Sequence, residues 1–125
     1  MNENEISKII LDSAFTIHRA FGPGLLESVY KECLYHESKI RGLTIVKEKP
    51  VPLIFKNIKL EVGYRADLFI ENKVIIEVKA VDALNEIHFA QVLTYLKLSQ
   101  CKLGLLINFN VPLLKDGIRR IVNNL

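Results

Sequence analysis

Apolar residues at the start of the chain recur at helical spacing. Ile6, Ile9, Ile10, Ala14, Ile17 and Phe21 predict one amphipathic helix over about residues 5–21. Gly22-Pro23-Gly24 stops it, and a second helix carries Leu25, Leu26, Val29, Tyr30, Cys33, Leu34 and Ile40 as far as Gly42. The period then shortens. Residues 43–55 alternate β-branched and basic positions around Pro50 and Pro52, which reads as an edge strand or a bent hairpin. Lys56-Asn57 is a turn candidate. Residues 58–70 alternate cleanly, with Ile58, Leu60, Val62, Tyr64, Ala66 and Leu68 on one face and Lys59, Glu61, Arg65 and Asp67 on the other. Glu71-Asn72-Lys73 is a turn, and residues 74–79 form a further strand. A third helix is predicted over 85–99, and 103–107 is a short apolar strand that must be central and buried. Pro112 then opens a last helix carrying Leu113, Leu114, Ile118, Ile121 and Val122.

The order helix, helix, three or four strands, helix, strand, helix describes an α/β protein with a mixed β-sheet flanked by helices. The third helix supplies the crossover that returns the late strand to the sheet. At 125 residues the chain reads as one domain over 1–125. Half the residues are apolar and 25% are charged, an ordinary globular composition. No apolar run approaches the roughly 20 residues that span a bilayer. Met1-Asn2-Glu3-Asn4-Glu5 is acidic, unlike a signal peptide, so a cytoplasmic location is expected. Cys33 and Cys101 are expected as reduced thiols, with no second Cys or His at ligand spacing. The net charge of +3 only permits nucleic-acid binding. Lys39, Arg41, Lys47, Lys49, Lys56 and Lys59 stand against Glu48 alone in their stretch. That basic run reads either as a phosphate-tracking patch or as edge lysines that block aggregation.

The chemistry concentrates in residues 64–79. If the hairpin turns through Glu71-Asn72-Lys73, with Asn72 in the left-handed conformation it tolerates, Ile70 faces Val74. Counting outward then sets Asp67 opposite Glu77 and Arg65 opposite Lys79. Directly opposed carboxylates repel. Arg65 and Lys79 could compensate as a lattice of charges on a wet face, or a divalent cation such as Mg²⁺ could bridge the carboxylate oxygens.

Asp67 followed by Glu77-Val78-Lys79 on a hairpin resembles the D…(D/E)xK signature of the PD-(D/E)XK nucleases. Gly24-Leu25-Leu26-Glu27-Ser28-Val29-Tyr30 matches the pattern that names the GxxExxY family of that superfamily. Gln91-x-x-x-Tyr95 resembles a QxxxY motif, and Gly104 to Asn110 resembles the run that follows the helix there. The resemblance covers nearly the whole chain and implies a restriction-endonuclease-like core. It implies Asp67 and Glu77 as metal-binding acids, Lys79 as the residue that orients the attacking water, and Glu27 as a third acid in the metal shell. Gln91 and Tyr95, with His88 on the same stripe, would position substrate or metal waters. Each residue has a plainer role open to it: Glu27 favours the positive end of its helix and can pair with Lys31. Lys79 can be a strand-end cation, His88 a surface residue, and Tyr95 part of the core with Phe89, Val92, Leu93 and Leu96.

The reading that follows is a Mg²⁺- or Mn²⁺-dependent nuclease that hydrolyses phosphodiester bonds of nucleic acid, DNA first, with Lys47, Lys49 and Arg65 on the phosphates. Its rival is a non-catalytic nucleic-acid- or protein-binding module on the same fold. So small a chain leaves little room for a specificity domain, and a homodimer would supply a second half to grip a duplex.

Overall fold

The computed structural model describes residues 1–61 and 64–125. Helix α1 (Glu3–Phe21) begins at Asn2, whose side chain accepts from the Glu5 N–H while Glu5 reaches back to the Asn2 backbone, a reciprocal cap. It ends at Gly22, and α2 (Glu27–Ile40) follows. Five strands come next: β1 (Ile45–Pro50), β2 (Leu53–Phe55), β3 (Ile58–Leu60), β4 (Arg65–Ile70) and β5 (Val74–Lys79). Helix α3 (Glu86–Ser99), β6 (Leu103–Asn108), a 3-10 turn (Leu114–Gly117) and β7 (Ile118–Val122) complete the chain.

The main sheet has the order β1-β4-β5-β6-β7. Only β5 and β6 run parallel, joined through α3 as expected, and the other neighbours are antiparallel. One face carries Leu68, Ile70, Ile76, Val78, Leu105 and Ile107 against Ile6, Ile10 and Ala14 of α1 and Tyr30 and Leu34 of α2. The other carries Phe69, Ile75 and Leu106 against Val92, Tyr95 and Leu96 of α3. Burial on both faces explains why β6 carries no polar side chain from Leu103 to Ile107. Gly104 of β6 lets α3 lie close, since a Cβ there would stand 2.6 Å from the Val92 side chain. Cys101 is buried and Cys33 half-buried, both as free thiols.

Two expectations fail. The clean alternation of 58–70 is not one strand. Ile58 and Leu60 pair with β2 in a separate hairpin through Lys56-Asn57, whereas Ala66 and Leu68 pair with β1. Alternation reports that a segment is extended, not which partner it has. Val62, expected on the apolar face, lies outside the described residues. The predicted last helix is also a strand: β7 covers the edge of β6. Ile118 packs with the α1–α2 core and Ile121 with the α3 core. A separation of three places residues on opposite faces of a strand, so this pair mimics helical periodicity while serving two layers.

Candidate active site

The β4–β5 hairpin turns through Glu71 and Asn72, both left-handed at φ 53° and 57°, with the Lys73 N–H donating to the Ile70 carbonyl at 2.9 Å. Ile70 pairs with Val74, Phe69 with Ile75 and Leu68 with Ile76, the register the turn dictates. At the next step the backbone ladder gives way to side chains. The Asp67 N–H donates to Glu77 Oε1 at 3.0 Å, and the Val78 N–H donates to Asp67 Oδ2 at 2.8 Å. The two carboxylates thus fill the point where the strands part. Glu77 is 6% exposed. Burial first, and then the Asp67 charge, push its carboxyl up to about 8, with the Lys79 ammonium pulling the other way.

Lys79 is the last residue of β5 and pairs with Asn108. Buried Asn108 holds the segment beyond it: its Oδ1 accepts from the Val81 and Asn110 N–H groups at 3.0 and 3.2 Å, and its Nδ2 donates to the Val81 carbonyl at 2.9 Å. No sequence pattern marked that role beyond a polar residue closing an apolar strand.

Helix α2 approaches the same hairpin. Tyr30 is fully buried and stacks on Phe109 at 4.5 Å. Its hydroxyl donates to the Gly22 carbonyl at 2.5 Å and accepts from the Leu25 N–H at 3.1 Å. Gly24, at φ 110°, and Tyr30 therefore build the turn into the helix. Glu27 between them is exposed, and the structure does not bring it into contact with Asp67 or Glu77. The α2 group that reaches Asp67 is Lys31, with Nζ 3.9 Å from Oδ1 and a closer bond to Glu48. Burial opposes the Lys31 charge, yet the bond to Glu48 and the charges of Asp67, Glu48 and Glu27 raise its pKa above the ordinary value. Sequence reasoning missed Glu48. It lies between Lys47 and Lys49, which pair with Leu68 and Ala66 of β4, and it is left-handed at φ 55°, a conformation no propensity assigns to glutamate.

On α3 the sequence-predicted residues separate. His88 closes the helix start, its Nδ1 accepting from the Asn85 N–H at 3.1 Å, and Gln91 is exposed. Tyr95 turns inward. Burial first, then the charges of Glu77 and Asp67, push its hydroxyl up to about 12, and Tyr64 meets its ring edge-on at 5.4 Å. It belongs both to the core and to the surroundings of the acids.

A sequence model of the PD-(D/E)XK nuclease superfamily matches residues 4–121. The chain belongs to that superfamily. No curated protein and no solved structure matches the chain. Nucleases of the PD-(D/E)XK superfamily generally use divalent metals, and the acids of this member suit such a cation. Asp67 and Glu77 each accept one backbone N–H, and their carboxylate oxygens are the hard donors such a cation takes. Among the described residues no three Asp, Glu, His or Cys side chains are arranged to hold a metal. The pair Asp67–Glu77 stands alone, with Glu27 outside it.

The basic residues divide as well. Lys47 Nζ donates to both Glu32 carboxylate oxygens at 2.9 and 3.1 Å and lies 4.5 Å from the Tyr35 ring centre. Lys49 lies 5.9 Å from the Phe69 ring centre, and Arg65 is exposed at the open end of β4. No helix among the described residues is long and apolar enough to cross a membrane.

Proposed function

We propose that this chain is a metal-dependent nuclease of the GxxExxY branch, hydrolysing phosphodiester bonds of nucleic acid with DNA as first substrate. The observation that carries the reading is buried Glu77, wedged beside Asp67 where the hairpin opens, with Lys79 two residues along the same strand. Asp67 and Glu77 would hold Mg²⁺ or Mn²⁺, which when bound supplies Lewis acidity to a water and to the scissile phosphate. The two backbone N–H bonds fix both carboxylates before substrate arrives. Lys79 orients the attacking water and sets its positive charge beside the phosphate oxygens as negative charge grows on them. Tyr95, with Gln91 and His88 further out on α3, positions substrate, and Lys49, Arg65 and Lys47 meet the flanking phosphates. Two copies would grip a duplex from both sides.

A non-catalytic binding module is the second reading. The observation favouring it is that Lys31, a cation of the chain itself, lies on Asp67 while Glu27 stays apart. Purified protein incubated with Mn²⁺ or Mg²⁺ and labelled single- and double-stranded DNA and RNA separates the two. Cleavage stopped by EDTA and absent from Glu77→Ala supports the nuclease. Binding without cleavage in every metal condition supports the module.

A further inference from the structure

Among the described residues, Lys31 is the α2 side chain that ion-pairs with Asp67, and it does so at a telling atom. Oδ2 of Asp67 is committed to the Val78 N–H, so Oδ1 is the oxygen left for a cation. That oxygen is the one Lys31 Nζ faces at 3.9 Å. The two side chains are 18% and 17% exposed, so bulk water does little to dilute the pairing. The ammonium is also bonded to Glu48, left-handed in β1. The helix cannot easily carry Lys31 away, because neighbouring Tyr30 is locked onto Phe109 and the Gly22 carbonyl.

From this we infer that Lys31 is the internal counter-ion of the acid pair and that a divalent cation must displace it from Asp67 to bind. The inference rests on the metal-dependent reading above and names the chain's own competitor for the metal. A divalent cation at Oδ1 and an ammonium at the same oxygen would be like charges within a few ångströms, which the site cannot hold together. Lys31 has somewhere to go. At 3.9 Å its link to Asp67 is an ion pair without a hydrogen bond, and Glu27 lies one helical turn back, at the spacing where Glu and Lys pair. The same swing would leave Asp67 Oδ1 open to the cation while Glu27 takes over the ammonium.

The test is calorimetric titration of Mn²⁺ into the full chain: wild type, Lys31→Met, Lys31→Gln, Lys31→Arg and Glu77→Ala, with Lys39→Met as a control. Lys39 is exposed two turns further along α2, so its loss removes equal charge from the same helix. Removing a competitor that holds the site closed in most molecules should tighten Mn²⁺ binding about tenfold in Lys31→Met and Lys31→Gln. Lys31→Arg, which keeps the charge, and Lys39→Met should stay near wild type. A second reading is the melting temperature. In EDTA, Lys31→Met should melt below wild type, because the acids lose their cation, and Mn²⁺ should raise it by more than it raises wild type. Unchanged affinity in both neutral variants, with Mn²⁺ still bound by wild type and lost in Glu77→Ala, overturns the Lys31 inference alone. Equal tightening in Lys39→Met also overturns it, since general charge then suffices. Absence of Mn²⁺ binding in every variant overturns the metal-dependent reading and the inference with it.

Discussion

Glu77→Gln isolates the electrostatic burden of the site. The native carboxyl sits at about 8 against an ordinary 4.5, so the folded protein keeps a proton that the unfolded chain gives up. Stability from this source is intact below about pH 4.5, is lost progressively as pH rises to about 8, and is level above. At about 1.4 kcal/mol per unit the gap sets a ceiling on the order of 5 kcal/mol. Sharing of the repulsion with Asp67 makes a fall of about 2–3 kcal/mol the working expectation. Urea unfolding in EDTA across pH 5 to 9 reads it directly. Wild type should lose stability along that series. Glu77→Gln, isosteric and uncharged, should run flatter and be the more stable protein at pH 8. Saturating Mn²⁺ should lift wild type most at high pH, where the carboxylate is ionised. Parallel pH curves for the two proteins would refute the claim that Glu77 carries a suppressed buried charge.

Lys79→Ala should lower cleavage by at least about 10²-fold while preserving the Mn²⁺-dependent rise in melting temperature, because a charged lysine has no lone pair to donate; loss of both would make Lys79 structural. Tyr30→Phe removes the hydroxyl that joins the Gly22 carbonyl to the Leu25 N–H and should cost about 1–3 kcal/mol by urea unfolding. A neutral result would mean that α2 docks through apolar packing without help from the hydroxyl. Lys49→Ala and Arg65→Ala should each flatten the dependence of log K on log salt for duplex DNA by about 0.9 per lost phosphate contact. Lys47→Ala should do less, its ammonium being engaged by Glu32. Identical slopes throughout would leave these residues as protection for a sheet edge.

The hairpin that carries the acids was legible because its information is local. Asn72 tolerates the left-handed turn, the turn fixes which residues face each other, and a count along β4 and β5 then reaches Asp67 and Glu77. The parallel return of β6 was legible for a similar reason, since only a helix-length crossover can connect parallel neighbours. Sequence alone could not show that the ladder opens at Asp67, because that requires the side chains to outcompete the backbone for the Asp67 and Val78 N–H groups. Residues 58–70 alternate as one strand, but the division into β3 and β4 depends on two different partners. Ile118 and Ile121 fit a helix as well as a strand until the two cores are in place on either side of the sheet. The pattern Gly24–Glu27–Tyr30 singled out α2, yet the docking of α2 through Tyr30 and Phe109 delivers Lys31 to Asp67 and leaves Glu27 exposed. Glu48 is the extreme case. Its left-handed backbone and its bond to Lys31 arise only when β1, β4 and α2 meet. Charge compensation among residues so distant in sequence is set by packing, which no local preference encodes.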